Sequence, residues 1–139
     1  MRLGDEARVA EAAHLFDGPT LRDAVSSFLA DPTHHLLIAY LTGQPAGFVS
    51  GVEVTHPDKG TEMFLYELAV DERHRRKGIG TSLVNTLAEL ARARRCYGMW
   101  VLVDHDNDPA AATYRKAGGE LESQPLMFSW SFDSLRSQT

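Results

Sequence analysis

The residues best suited to chemistry are Arg75, Arg76, Lys77, Gly78, Ile79 and Gly80, a cationic run closed by a Gly-x-Gly turn. Helical apolar spacing follows, with Ile79, Leu83, Val84, Leu87, Leu90 and Ala91 on one face. Glycine lets the backbone turn sharply and bring its amides close to an oxygen-rich ligand. The first helical amides then point at an anion, assisted by about half a positive charge from the helix dipole. Arg and Lys add charge around that anion. Such an assembly suits a polyphosphate. Two familiar phosphate loops do not fit. No glycine precedes a lysine and a hydroxyl residue, as a nucleotide triphosphatase loop requires. Leu83 occupies the place of the third glycine in a dinucleotide-binding turn. Arg-x-x-Gly-x-Gly after "LYELAV" remains, against the plainer reading of a basic loop before an ordinary helix.

Other side chains suit proton transfer or cation binding. Glu67 lies within an apolar strand pattern, flanked by Tyr66 and Leu68, where a carboxylate is costly unless it faces a cavity or a partner. It is a candidate base, with a salt bridge on the sheet face as the alternative. His34 and His35 titrate near neutrality and are reserve bases; strand alternation sends them to opposite faces, so at most one enters a site. Asp104, Asp106 and Asp108, with Glu53, can form an acidic rim for a polycation, or be solvated loop carboxylates. "HDND" is too tight in sequence for metal ligands to converge, so no metal is expected. His74 reads as loop surface, Cys96 as packing, and Trp100 and Trp130 as core or cleft wall.

These groups need a scaffold. The order of patterns is β-α-α-β-β-β-α-β-α-β, opening on "MRL" and closing on "LMFSWSF", with room for one more short strand near Glu120. The first two helices are "DEARVAEAAHLF" and "TLRDAVSSFLAD", the second starting at Pro19 or Thr20. "HHLLIAYL" and "AGFVSGVEV" flank a Thr42–Pro45 hairpin connection, "EMFLYELAV" is the central strand, and "YGMWVLVD" another. "DPAAATYRKAG" is a short helix ended by Gly118-Gly119. The class is α/β (α+β): a mixed, mostly antiparallel sheet with helices on both faces.

The 139 residues suit a single domain, 1–139, and 43% hydrophobic with 24% charged content suits a globular chain. One cysteine excludes an intrachain disulfide and fits a reducing compartment. No apolar run approaches the ~20 residues of a membrane span, and the N-terminus lacks signal-peptide character, so a cytoplasmic location is expected. A net charge of −5 argues against nucleic acid. Nine of the fourteen Lys and Arg nevertheless lie between Arg73 and Lys116, in clusters on either side of the acidic "VDHDND" (Val103–Asp108). That polarity suits an anion at one place and a cation at another.

"ELAVDERHRRKGIGTSLV" resembles the acetyl-CoA-binding strand–loop–helix of the GCN5-related N-acetyltransferase (GNAT) superfamily. "NDPAAATYRKAGG" resembles its later motif, met at Asn107, Ala110, Tyr114 and Gly118, and the element order is also similar. The resemblance implies a six- to seven-stranded GNAT sheet with a splayed central strand pair. It implies acetyl-CoA as co-substrate, held by Leu68, Ala69, Val70, Arg75, Arg76, Lys77, Gly78, Ile79, Gly80, Thr81, Asn107, Ala110, Tyr114 and Lys116. Pantetheine would pair along Leu68–Val70, where a bulge opens the cleft and a backbone N–H polarises the carbonyl. Tyr114 becomes the general acid, since a phenol near pKa 10 stays protonated at neutral pH, with core packing as its plainer reading. Glu67 becomes the base.

Within the superfamily, "FLYELAVDERHRRKGIGTSLVNTL", "VDHDNDPAAATYRKAG" and "MFSWSF" resemble the type I aminoglycoside 3-N-acetyltransferases. A cationic small-molecule amine would then meet Glu53, Tyr66, Glu67, His35, Asp104 and Asp106. "THH" (Thr33–His35) and "HPDKGTE" depart from that type and are expected to border the acceptor site. Acetylation of another polyamine or a protein N-terminus, or a non-catalytic acyl-CoA sensor, are the alternatives, and a homodimer involving the terminal strand is a further expectation.

Overall fold

A computed structural model of the chain describes residues 4–132, so the expected opening strand at Met1–Leu3 lies outside the described residues. Helices α1 (Glu6–Glu11) and α2 (Arg22–Ala30) precede strands β1 (His34–Leu41), β2 (Gln44–His56) and β3 (Gly60–Val70). Helix α3 (Ile79–Ala93), strand β4 (Met99–Trp100) and helix α4 (Asp108–Lys116) follow. Short 3-10 turns occupy Ala13–Leu15 and Glu72–His74.

The sheet has four strands among the described residues, in the order β1-β2-β3-β4. The first three are antiparallel and β4 joins β3 in parallel. This corrects the expected six to seven strands. Residues 119–132 contain no strand, neither near Glu120 nor in "LMFSWSF", and "YGMWVLVD" contributes only Met99 and Trp100. α2 also begins later than its punctuation implies: Leu21 holds the cap position, without a side-chain cap.

Residues Pro45–Gly51 of β2 are buried without a break, because both faces of that strand are covered. On one face Leu83, Val84, Leu87 and Ala91 of α3 meet Val49, Met63 and Leu65. On the other, Val9, Ala12, Leu15 and Leu29 meet Leu36 and Phe48. The helical and strand periods of the sequence thus supply two apolar layers against one sheet.

Two irregularities of β3 shape what lies at its end. Opposite Ser50 and Gly51, β3 carries one extra residue, Tyr66, so that Ser50 pairs with Glu67 and Gly51 with Leu65. The bulge therefore falls before Leu68–Val70 rather than within it. The Ser50 hydroxyl, in a buried residue, accepts a hydrogen bond from the Glu67 amide at 3.2 Å and satisfies it. The insertion also resets the alternation. Met63, Leu65 and Leu68 pack toward α3, whereas Ala69 joins the opposite cluster. Glu67, two residues before Ala69, is carried to that opposite face. Separately, β3 and β4 pair only at Met63–Met99 and Phe64–Trp100. Beyond Phe64 the two segments part, and the β4 side of β3 is left without a strand partner among the described residues.

Candidate active site

Beside the end of β3 that β4 leaves unpaired lies a groove of about 1330 Å³. Its floor is the end of β3, Leu68, Ala69 and Val70; one wall is the loop and first turn of α3, and another is α4. Gly78 takes the left-handed conformation, φ 79°, and is the residue before the first turn of α3. A Cβ there would touch nothing, so it is the backbone angle and not lack of space that calls for glycine. Arg76 is also left-handed, φ 65°. Such alternations turn successive amides toward one side and form an anion-binding concavity. Gly80 serves differently: a Cβ there would lie 3.3 Å from Thr113 Cγ2, and its absence lets α4 close over α3.

The cations of this loop are not equivalent. Arg73 makes an ion pair with Asp71 at 3.0 Å, and this contact holds the Asp71 carboxyl at about 2. Arg75 donates through Nε to the Val70 carbonyl at 3.4 Å, tying loop to strand. Arg76 and Lys77 have no carboxylate partner among the described residues, nor has Lys116 at the end of α4. Every residue expected at the co-substrate, save Lys77, lines the groove. Asn107 lines it too, while its side-chain oxygen accepts from the Ala110 amide at 3.3 Å and caps α4.

Tyr114 enters the groove from α4 and packs its ring against the α3 core cluster. Burial raises its pKa, so the hydroxyl holds its proton throughout the neutral range. Glu67 is half-buried across the bulge, and its pKa is raised, first by burial and then by the nearby Asp17 carboxylate. Asp17 and His14, from the connection between α1 and α2, line the groove and carry no local sequence signature. His74, expected on the surface, is half-buried along the groove, and its Nδ1 has no hydrogen-bond partner among the described residues.

The residues expected around an acceptor are not gathered. Glu53 lies opposite Met63, seven residues or roughly 23 Å along β3 from Val70. There its carboxylate accepts from His35 Nε2 at 2.7 Å and from Arg94 Nε at 2.8 Å. Glu53 and His35 are thereby satisfied in a structural ion cluster and leave the acceptor set. His34 faces Phe28, ring centroids 5.3 Å apart, and approaches Asp31. Neither histidine of the pair reaches the groove. "THH" and "HPDKGTE" sit at the same far end of the sheet, since His56 and Gly60 close the β2–β3 hairpin. Asp104 and Asp106 are exposed in the connection before α4, and Tyr66 is exposed at the bulge. Trp100 stacks on Phe64 with centroids 4.2 Å apart, whereas Trp130 is neither core nor cleft wall but exposed. Cys96 packs against the α3 cluster, and burial, with Glu53 second, raises its thiol pKa.

Residues 6–119 match the model of the Acetyltransferase (GNAT) family. The chain belongs to that family. Among its relatives, this GNAT protein is 28% identical over 94 residues to an L-2,4-diaminobutyric acid acetyltransferase of Nocardia farcinica, covering 65% of this chain and 48% of that one. It spans about half the length of the first curated relatives it matches. Among solved structures, an aminoglycoside acetyltransferase, meta-AAC0020, from an uncultured soil metagenomic sample, in complex with sisomicin, superposes with a TM-score of 0.86 at 18% identity, covering 95% and 93% of the two chains. A second soil metagenomic aminoglycoside acetyltransferase, HMB0005, gives 0.78 at 26% identity, covering 94% and 95%. The α+β arrangement is the GNAT fold. No helix among the described residues is long and apolar enough to cross a membrane.

Proposed function

We propose that this GNAT protein transfers an acetyl group from acetyl-CoA directly to a primary amine of a small polycation, with an aminoglycoside as the leading acceptor and its 3-amine as the site. The observation that carries the reading is the groove itself. Toward α3 it offers left-handed Gly78, the first amides of that helix and the Arg76 cation, unpaired among the described residues; from the connection between α1 and α2 it offers the Asp17 carboxylate, which lies near Glu67. A diphosphate-bearing thioester fits the first, and an ammonium the second.

Acetyl-CoA supplies an activated thioester carbonyl. The protein's residues do the rest. The free side of Leu68–Val70 aligns an extended chain by strand addition. A backbone N–H there faces the carbonyl oxygen as it gains charge. Glu67, a stronger base than an exposed glutamate, draws in the ammonium and removes its proton directly or through water. The C–N bond forms, the C–S bond breaks, and Tyr114 delivers a proton to the departing sulfur. From ammonium to amide the nitrogen loses two protons: one balances the proton gained by sulfur, and the other passes through Glu67 to solvent.

Thiol release from acetyl-CoA, measured across aminoglycosides, diaminobutyrate and linear polyamines, tests the acceptor. Turnover on an aminoglycoside with product acetylated at the 3-amine is expected; turnover on diaminobutyrate or linear polyamines alone removes the aminoglycoside. The diaminobutyrate relative supports that second reading, in which a smaller diamine fills the same anionic end. Tyr114→Phe should lower kcat by about 100-fold while leaving the Kd for CoA unchanged. An unchanged kcat removes its role as acid.

A further inference from the structure

The two faces of β3 meet different surroundings. Met63, Leu65 and Leu68 pack toward α3, while Phe64 lies on the other face beside its ladder partners Val52 and Trp100. The apolar side chains of α1 and α2 cover that second face over Leu36 and Phe48, and reach β3 at Ala69. Farther back along β3, three aromatic rings take their place. Trp100 stacks on Phe64, with 21° between the ring planes, and Tyr66 meets Phe64 edge-on, centroids 5.7 Å apart. Tyr66 nevertheless stands 65% exposed and Trp100 40%. Rings that touch one another and still present a surface to solvent are held in place yet uncovered.

The bulge adds charge to this row. In a regular strand Tyr66 and Glu67 would face opposite ways. The extra residue removes that alternation, and both stand on the ringed face. Glu62, two residues before Phe64, lies on the same face at the other end of the row. Neither Glu62 nor Glu67 has an ion-pair partner among the described residues. An aromatic row set between two such carboxylates complements a molecule that is cationic at more than one point.

We propose that Phe64, Tyr66 and Trp100 form a second cation subsite, which holds an outlying ammonium of a long polycationic acceptor while its reacting amine meets Glu67. The inference rests on the proposed transfer for the role of Glu67, and it adds a length requirement. Three residues of strand, about 10 Å, separate Glu67 from the Phe64–Trp100 stack. A multi-ring aminoglycoside spans that distance, whereas the closely set amines of diaminobutyrate do not. A cation over a ring face is attracted by the ring's quadrupole, so the rings select for charge as well as for length.

Tryptophan fluorescence reads the subsite directly. In a Trp130→Phe chain, Trp100 is the sole tryptophan left. With coenzyme A present, sisomicin should change its emission saturably, while trehalose, a neutral sugar, and diaminobutyrate should not. No saturable change with sisomicin, or an equal change with either of the others, overturns the inference. Tyr66→Ser should raise the Kd for sisomicin about tenfold, and Tyr66→Phe should leave it within twofold, since the ring and not the hydroxyl makes the contact. An unchanged Kd in Tyr66→Ser overturns the inference, as does an equal loss in Tyr66→Phe. If Tyr66→Ser fails to fold, the Trp100 titration decides alone. Binding of sisomicin at Trp100 without turnover removes the proposed transfer and leaves the subsite standing; turnover with a silent Trp100 does the reverse.

Discussion

Helix α3 carries basic residues at both ends, and the two ends use them in opposite ways. At its C-terminus Arg94 reaches back to Glu53 and His35 and donates to the Pro32 carbonyl, where cations also suit the helix dipole. At its N-terminus Arg76 and Lys77 sit where the dipole disfavours them, and no carboxylate among the described residues answers them. Charge that has found an internal partner holds the fold. Charge held against the dipole, beside a left-handed turn and an open groove, is left open to the anion proposed above. Composition counts both as one positive stretch; only the partners tell them apart.

The largest effect should come from breaking the satisfied end. Arg94→Met strands the nearly buried Glu53 carboxylate and should cost about 2 kcal/mol in urea unfolding. The Kd for CoA, measured calorimetrically, should stay within twofold; a large loss of affinity would show that both ends serve the ligand. Next in size, Gly78→Val forces a branched residue into left-handed backbone, a strain of about 1–3 kcal/mol. If the loop yields, the amides turn away and the affinity for CoA should fall by about tenfold or more. Arg76→Gln is milder. It should weaken CoA by a few-fold, flatten the salt dependence and leave stability within about 0.5 kcal/mol.

The smallest effect concerns pH. Burial raises the Glu67 pKa, so the native state binds this proton more readily than the unfolded chain does. Its contribution to stability is complete below the ordinary glutamate value of about 4.3 and is lost as pH rises through the raised native value. Glu67→Gln lacks that loss. Relative to the parent it should therefore gain stability across that window, seen in unfolding curves at successive pH values. A parallel pH profile in parent and variant would place Glu67 in water.

The sequence disclosed what local pattern controls. Apolar spacing placed α3, alternation placed β1 to β3, and the glycine motif marked the left-handed turn that lines the groove, because backbone geometry there depends on a few adjacent residues. Partners distant in the chain were illegible. Glu53 and Arg94 are 41 positions apart, and neither residue's neighbours advertise the pairing that holds Glu53 and His35 away from the groove. The bulge at Tyr66 depends on the Ser50 hydroxyl across the ladder, and Asp17 is brought to the groove by the path between α1 and α2. The terminal pattern was legible as a strand, but a strand needs a neighbour, and none is met among the described residues.

Cys96 has a practical bearing on the bench. It is the chain's sole sulfhydryl, and its shielded, reluctantly ionised sulfur should react slowly with disulfide reagents and maleimides. In a coupled assay of the proposed transfer, colour then reports coenzyme set free, against a faint and measurable background from the protein. A dye grafted onto a newly introduced cysteine would, for the same reason, report from its intended position.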